Sequence, residues 1–195
     1  ERKTTLQELL GTLKGHTNGI QSLHAFQDNK GLLTIVSGSH DKTIKIWKED
    51  EWHNFNVRTL EGHTESIRSL HAFQDKDNKD LLTIVSGNFD RTIKIWKEDE
   101  WHNFNVRTLE GHTGGIYSLN AFQDKDNKDL LTIVSGSFDN TIKIWKEDGE
   151  HNLNVSTLEG HTGNISSLYA FQDNKDLLTI VSGSSDNTIK IWKED

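Results

Sequence analysis

The sequence predicts an all-β protein that contains four copies of one four-stranded module. Three observations predict it: the pair Gly-His recurs every 47 to 49 residues, the string TIKIWKED closes each interval, and no window shows a sustained helical period. Aligning residues 51–99 with residues 100–148 gives 43 identities in 49 positions. The units occupy residues 1–50, 51–99, 100–148 and 149–195, and we interpret them as a single domain.

Each unit contains four short segments with the composition of β-strands. In the second unit they are, in order, NVRTLEGH, IRSLHAF, LLTIVSG and TIKIW. They are rich in β-branched and aromatic residues, and Gly, Asp and Asn bound them as in turns. The segment LLTIVSG is apolar on both faces, which favours a strand enclosed between two layers. Residues 4–14 occupy the place of NVRTLEG in the later units, so we predict a strand there too.

The composition excludes several classes of function. No apolar run reaches the roughly 18 residues of a membrane span, so we predict no membrane partner. Acidic residues outnumber basic ones by 30 to 22, and the net charge of -8 argues against nucleic acid as a partner. The absence of Cys excludes disulfides, Cys-containing zinc sites and thiol nucleophiles. The compartment is open from sequence, with the cytoplasm favoured.

Every unit carries one His, one Ser, one Asp and one Trp at corresponding positions. Nucleophilic hydrolysis uses His, Ser and Asp in hydrogen-bonding contact beside a substrate pocket. An enzyme rarely carries four copies of its active site, so the recurrence favours a structural role, and we predict no catalytic residue and no enzyme. The four sets are His16, Ser37, Asp41 and Trp47; His63, Ser86, Asp90 and Trp96; His112, Ser135, Asp139 and Trp145; and His161, Ser182, Asp186 and Trp192.

Two further features bear a weak similarity to metal sites. His24 and His71 hold equivalent places in the first two units, and both could face a central channel. Two imidazoles without a nearby carboxylate make a poor metal site. The string DKDNKD at residues 75–80 and 124–129 begins like a calcium loop but lacks the Gly and the distal Glu of that motif. We therefore predict no metal and no cofactor.

The unit length, the four strands, the Gly-His pair and the strand ending in Trp together resemble the WD-repeat β-propeller family. The motifs that carry the resemblance are GHT and SG(S/N)xDxTIKIW, each present four times. The resemblance implies a propeller of four-stranded antiparallel blades, four per polypeptide, in which each set of Trp, Ser, His and Asp forms a buried hydrogen-bonded network. The Asp that gives the family its name is replaced by Lys48, Lys97, Lys146 and Lys193.

The two middle units differ at six positions, five of which lie in or beside two turns. The resemblance implies that these turns open on one face, where partner peptides usually bind. Tyr, Phe and Arg exposed there are plausible contact anchors, although drift at surface positions explains the variation equally well. We expect Trp52 and Trp101 to cover the edge of a blade. The predicted partner-binding residues are Gln21, His40, Arg68, Phe89, Arg91, Tyr117, Phe138, Ser166 and Ser185.

Four blades are fewer than the about seven that usually close a WD-repeat propeller. The resemblance implies an arc of about half a circle, whose end blades expose apolar faces and unpaired strand edges. We therefore predict a homodimer that closes an eight-bladed ring, with the strand at residues 4–14 completing the last blade of its own protomer or of the partner. Closure of four blades within one protomer is the other arrangement.

Two functions are predicted from these features. The first is a non-catalytic interaction scaffold that binds a peptide or protein on the face of the variable turns. The alternative is a self-assembling structural unit, an amplified or engineered half-propeller with no evolved partner. The high identity between the units favours this alternative more than it would for an ordinary natural domain.

Overall fold

The computed structural model describes residues 11–28, 30–74, 81–123, 130–173 and 177–194. These residues form four antiparallel sheets and contain no helix, and so none that could cross a membrane. The loops at residues 75–80 and 124–129, whose sequence begins like a calcium loop, lie outside the described residues.

The strands follow one another within each sheet in sequence order. Sheet 1 contains β1 (Ile20–Gln27), β2 (Leu33–Ser39), β3 (Ile44–Glu49) and β4 (Phe55–Leu60). Sheet 2 contains β5 (Ile67–Gln74), β6 (Leu82–Asn88), β7 (Ile93–Glu98) and β8 (Phe104–Leu109). Sheet 3 contains β9 (Ile116–Gln123), β10 (Leu131–Ser137), β11 (Ile142–Glu147) and β12 (Leu153–Leu158). Sheet 4 contains β13 (Ile165–Gln172), β14 (Leu178–Ser184) and β15 (Ile189–Lys193).

The outermost strand of sheets 1, 2 and 3 comes from the unit that follows in the sequence. β4, β8 and β12 are the NVRTLEG-like segments of the second, third and fourth units. Most of the strand predicted at residues 4–14 lies outside the described residues, and its described part, residues 11–14, forms no strand. Sheet 4 therefore has three described strands where the others have four.

The core lies between consecutive sheets, and one close contact recurs at all three junctions. At the first junction, a Cβ atom added to Gly38 in β2 would lie 2.5 Å from Ile67 Cγ2 in β5. Only glycine lets the two sheets approach this closely. We call this the Gly–Ile contact. The equivalent distances are 2.5 Å for Gly87 with Ile116 and 2.4 Å for Gly136 with Ile165.

The two ends of the row of sheets each have only one of the two residues of this contact packed against nothing: sheet 1 has the isoleucine and sheet 4 has the glycine. Ile20 and Leu23 in β1 are 49% and 62% exposed, whereas the equivalent Ile67 and Leu70 in β5 are 1% and 6% exposed. For Gly183 in β14, the nearest atom to an added Cβ lies 4.0 Å away. The stacking of the sheets is consistent with a β-propeller, but the described residues form an open arc and do not close a ring within one protomer.

The expectation that Trp52 and Trp101 cover a blade edge is wrong. Their side chains are 80% and 79% exposed, at the tips of the hairpins β3–β4 and β7–β8. In the first hairpin, Asp50 Oδ1 accepts hydrogen bonds from the backbone N–H groups of Trp52 and Asn54, at 2.9 Å each. This carboxylate fixes a tight turn that holds the indole away from the sheet.

Candidate functional site

The Trp, Ser, His and Asp of each unit are in hydrogen-bonding contact in the structure. In the third unit Trp145 Nε1 donates to Ser135 Oγ at 2.9 Å, Ser135 Oγ lies 2.8 Å from His112 Nε2, and His112 Nδ1 lies 2.7 Å from Asp139 Oδ2. The series of contacts runs from the third strand through the second strand to the turns at the end of the sheet. The corresponding His-to-Asp distances are 2.8 Å for His16 and Asp41, 3.1 Å for His63 and Asp90, and 2.7 Å for His161 and Asp186.

A glycine makes room for the indole of each set. Gly111, which precedes His112, has a φ of 155°, and a Cβ there would lie 3.1 Å from Trp145 Cη2. The Gly-His pair therefore supplies the close approach to Trp as well as the imidazole. This explains in physical terms why the two residues recur together.

Several hydrogen bonds keep the carboxylate of each set ionised. Asp139 Oδ1 accepts from the Thr141 hydroxyl at 2.6 Å and from the Thr141 N–H at 3.0 Å, and Asp139 Oδ2 accepts from the Thr113 N–H at 2.9 Å. Burial raises the pKa of Asp139, but the bonds from Thr141 and His112 outweigh it and lower the pKa to about 2. The carboxylate therefore accepts throughout the neutral range.

The ionised carboxylate fixes the tautomer of its imidazole. Nδ1 of His112 donates to Asp139, so Nε2 is left to accept the hydroxyl proton of Ser135. Burial lowers the pKa of His112, against the opposing effect of Asp139, which favours the neutral ring that this pattern requires. Every polar side-chain atom in the series from Trp145 to Asp139 then has a partner.

The set is placed for structural support rather than for attack on a substrate. Ser86, Ser135 and Ser182 are fully buried, and each hydroxyl is enclosed between its indole and its imidazole. A nucleophile has to reach a substrate, which this enclosure prevents. The contacts connect the Gly-His turn with two strands of the same sheet.

A second repeated polar contact was missed from the sequence. Glu98 Oε2 accepts from the Leu82 N–H at 3.0 Å within sheet 2, while Glu98 Oε1 accepts from Arg58 Nη1 of sheet 1 at 3.1 Å. Glu147 does the same with the Leu131 N–H at 3.0 Å and Arg107 of sheet 2 at 2.6 Å. The signal in the sequence is the Glu of the KED string that ends each unit.

The variable turns bring an arginine and three aromatic side chains together. The Arg68 guanidinium carbon lies 4.7 Å from the ring centre of Phe89 and 5.2 Å from that of Tyr117. Phe138 lies 5.4 Å from Phe89 and 4.6 Å from Tyr117 between ring centres. We call Arg68, Phe89, Tyr117 and Phe138 the aromatic–arginine cluster. Its members come from sheets 2 and 3.

Arg68 keeps hydrogen-bonding capacity within this cluster. Its Nη1 donates to Gln21 Oε1 of sheet 1 at 2.9 Å. Its Nε is buried and has no hydrogen-bond partner among the described residues. A buried charged donor without a partner is costly, because it has lost its water and gained nothing in exchange. The cluster therefore contains one buried donor that has no acceptor among the described residues.

The predicted partner-binding residues separate into two groups by exposure. The aromatic–arginine cluster is half-buried, and so is His40, whose Nδ1 lies 2.8 Å from Ser66 Oγ of the next unit. The structure thus brings five of the nine predicted residues together, namely the cluster and its partner Gln21, and leaves His40 in a separate contact. The exposed residues are Gln21, Arg91, Ser166 and Ser185.

Packing accounts for part of the difference between the middle units. Phe89 lies against Gly115, where an added Cβ would be 2.6 Å from Phe89 Cδ1, so the position of this ring leaves room only for glycine at residue 115. Asn88 and Ser137 hold the same place in the two units and make the same two hydrogen bonds. The side chain of each accepts from the N–H of the residue two places later and donates to a backbone carbonyl in the preceding turn, at distances of 2.5 to 3.1 Å.

The two histidines predicted near a central channel lie in contact. The ring centres of His24 and His71 are 4.5 Å apart. Burial lowers the pKa of His24, and burial together with the charge of His24 lowers the pKa of His71 to about 4. Within the described ranges, no group of three or more His, Asp or Glu side chains is arranged to hold a metal ion.

Comparison with known protein families gives one match that runs along the whole polypeptide. The family described as WD domain, G-beta repeat is matched four times, and the matches together cover most of the sequence. They span residues 7–48, 54–97, 103–146 and 153–193. A comparison with curated proteins gave no significant match.

Proposed function

Because this chain belongs to the WD-repeat family, we propose that it is a non-catalytic scaffold that binds a peptide or protein on the face of its variable turns. WD repeats generally mediate protein interactions or scaffolding, and proteins that contain them are typically not enzymes. The enclosure of the Ser, His and Asp sets supports a non-catalytic function, because these residues connect strands within a sheet and cannot reach a substrate.

The observation that carries this proposal is the aromatic–arginine cluster. Its rings offer flat apolar surface at low conformational cost, which suits contact anchors. The half-buried guanidinium of Arg68 adds a positive charge that a carboxylate would complement, since guanidinium and carboxylate form charge-assisted hydrogen bonds. We therefore propose that the partner presents an Asp, a Glu or a terminal carboxylate beside an apolar side chain.

A phage-displayed random peptide library tests this proposal. We expect the peptides enriched on the purified protein to be rich in acidic residues and to bind Arg68→Ala about tenfold or more weakly, the loss expected for a charge-assisted hydrogen bond. Trp52→Ala is the matched control, because Trp52 is exposed and follows the end of β3, whereas the variable turn precedes the start of that strand. Equal binding by wild type and Arg68→Ala would contradict the location of the site.

A second candidate function is self-assembly, in which the protein is a structural unit. One observation favours it: the outer faces of sheets 1 and 4 expose side chains whose equivalents in the other sheets are buried or half-buried. They are Ile20, Leu23, Ile189 and Ile191. Apolar faces of this kind are typical of interaction surfaces.

A further inference from the structure

The three junctions between consecutive sheets share one pattern of contacts. Each has the Gly–Ile contact, in which a glycine of one sheet receives an isoleucine of the next. Each also has a hydrogen bond from a leucine N–H to a serine hydroxyl of the preceding sheet, three residues after that isoleucine. The bonds are Leu70 to Ser22 at 3.0 Å, Leu119 to Ser69 at 3.0 Å, and Leu168 to Ser118 at 3.1 Å.

The open ends of the arc hold the two halves of a fourth junction of the same kind. The outer face of sheet 4 has the glycine, Gly183, and the exposed serine, Ser167. The outer face of sheet 1 has the isoleucine, Ile20, and the leucine, Leu23, both exposed. The two half-junctions are therefore complementary, and each matches the half that is buried three times elsewhere in the protein.

Charged groups at the rim of the junctions follow the same pattern. A basic side chain of one sheet reaches the Glu of the next: Arg58 reaches Glu98, and Lys146 reaches Glu194 at 2.5 Å. Glu49 of sheet 1 is held by the Leu33 N–H, at 2.8 Å, and lies 2.6 Å from His53 Nδ1 of its own hairpin, and it has no preceding sheet among the described residues. Glu98 has the equivalent contact with His102 and still accepts from Arg58, so Glu49 can likewise accept from a basic residue at the place of Lys146.

We propose that a second copy of this protein occupies both open faces, so that two copies close a ring of eight sheets. Ile20 of each copy packs against Gly183 of the other, and the Leu23 N–H donates to Ser167 of the other copy. Lys193, which corresponds to Lys146, approaches Glu49 of the other copy. This inference rests on the self-assembly candidate and is independent of peptide binding.

A second copy fits these faces better than an unrelated partner does. An unrelated protein would need to reproduce both halves of a junction, whereas this protein already carries both. Because the two faces of one protomer differ, pairing between them is head to tail, and it ends after two copies only if a two-fold axis closes the ring. The proposal therefore specifies a stoichiometry as well as a surface.

Sedimentation equilibrium and light scattering test the proposal on the full-length protein. Wild type should have about twice the 22.2 kDa of one protomer. Gly183→Val should weaken association about tenfold or more, because its side chain would fill the space that Ile20 needs. Within its own protomer Gly183 has no atom closer than 4.0 Å to an added Cβ, so the variant should fold. Gly149→Val is the matched control, since nothing lies within 4 Å of that site.

A second variant tests the opposite face. Leu23 is mostly exposed in the single protomer, so Leu23→Asp should leave the fold intact, as checked by circular dichroism, and should abolish association. A wild-type mass of one protomer, a ladder of larger assemblies, or dimers that persist in both Gly183→Val and Leu23→Asp would each overturn the proposal. Binding of the phage-selected peptides to the same samples separates the two proposals. If monomeric variants still bind the peptides, ring closure is not needed for binding and the scaffold proposal stands. If Arg68→Ala loses peptide binding but still dimerises, the ring-closure proposal stands.

Discussion

Replacing Ser135 with Ala is expected to destabilise the protein by about 2–6 kcal/mol. The Ser135 hydroxyl is the central member of its set: it accepts from Trp145 Nε1 at 2.9 Å and lies 2.8 Å from His112 Nε2. The substitution removes one small oxygen and leaves both nitrogens without a partner in a site from which water is excluded.

The magnitude follows from those two unsatisfied groups. A buried donor or acceptor that loses its partner costs about 1–3 kcal/mol, and Ser135→Ala creates two of them. The cavity left by one hydroxyl is too small to add much or to admit a water that would replace the contacts. The free energy of unfolding of a domain is about 5–15 kcal/mol, so the expected loss is a large fraction of the total.

Urea denaturation followed by Trp fluorescence measures this loss, with all variants compared at one protein concentration because association shifts apparent stability. Ser166→Ala is the control, since Ser166 is exposed and the substitution should change the unfolding free energy by less than about 0.5 kcal/mol. A loss below about 1 kcal/mol for Ser135→Ala, with an unchanged slope, would refute the reasoning, because it would mean that the hydroxyl does not hold the two nitrogens.

Two further predictions concern the core and acidification. Gly136→Ala should lower the free energy of unfolding, measured by urea denaturation, by about 1–3 kcal/mol, because the added Cβ would lie too close to Ile165 Cγ2. The control Gly149→Ala, where nothing lies within 4 Å, should be nearly neutral. Equal effects of the two substitutions would argue against the Gly–Ile contact. Burial and the charge of His24 lower the pKa of His71 to about 4. Between about pH 6.5 and pH 4 the unfolded state therefore binds a proton at this ring and the folded state does not. His71 consequently has no effect on the free energy of unfolding above about pH 6.5 and lowers it as the pH falls towards 4. His71→Asn should therefore reduce the loss of stability between pH 7 and pH 5, measured from urea midpoints. The control His151→Asn, at an exposed turn, should lose as much stability as the wild type. The same loss in the wild type and both variants would contradict the assignment of this loss to His71.

The sequence predicted the strands well because the strand segments recur with their turns. Periodicity identified β5, β6 and β7 from IRSLHAF, LLTIVSG and TIKIW, and the family resemblance assigned Trp, Ser, His and Asp to one set in each unit. These features depend on local sequence and on pairing between neighbouring strands. Both are the same in every copy, so four copies gave four opportunities to recognise them.

Features that depend on the neighbouring sheet could not be obtained in this way. Ile20 and Ile67 follow similar sequences, yet one is 49% exposed and the other 1%, because only the second has a sheet packed against it. The bond from Arg58 to Glu98 spans 40 residues and two sheets, so no local pattern reports it. Trp52 was misplaced for a different reason: its position depends on a local turn held by Asp50, whereas the expectation considered only the apolar ring.

The two proposals concern different junctions, which is why they can be tested independently. Gln21, Arg68 and Tyr117 lie in sheets 1, 2 and 3, so the candidate binding surface crosses only junctions formed within one protomer. A single copy therefore carries the complete aromatic–arginine cluster. Ring closure instead involves sheets 1 and 4, with Gly183 on the far face. A ring of two copies would present the cluster twice, related by the two-fold axis, so a partner with two acidic segments joined by a linker of matching length should bind the dimer more tightly than the monomeric Leu23→Asp variant.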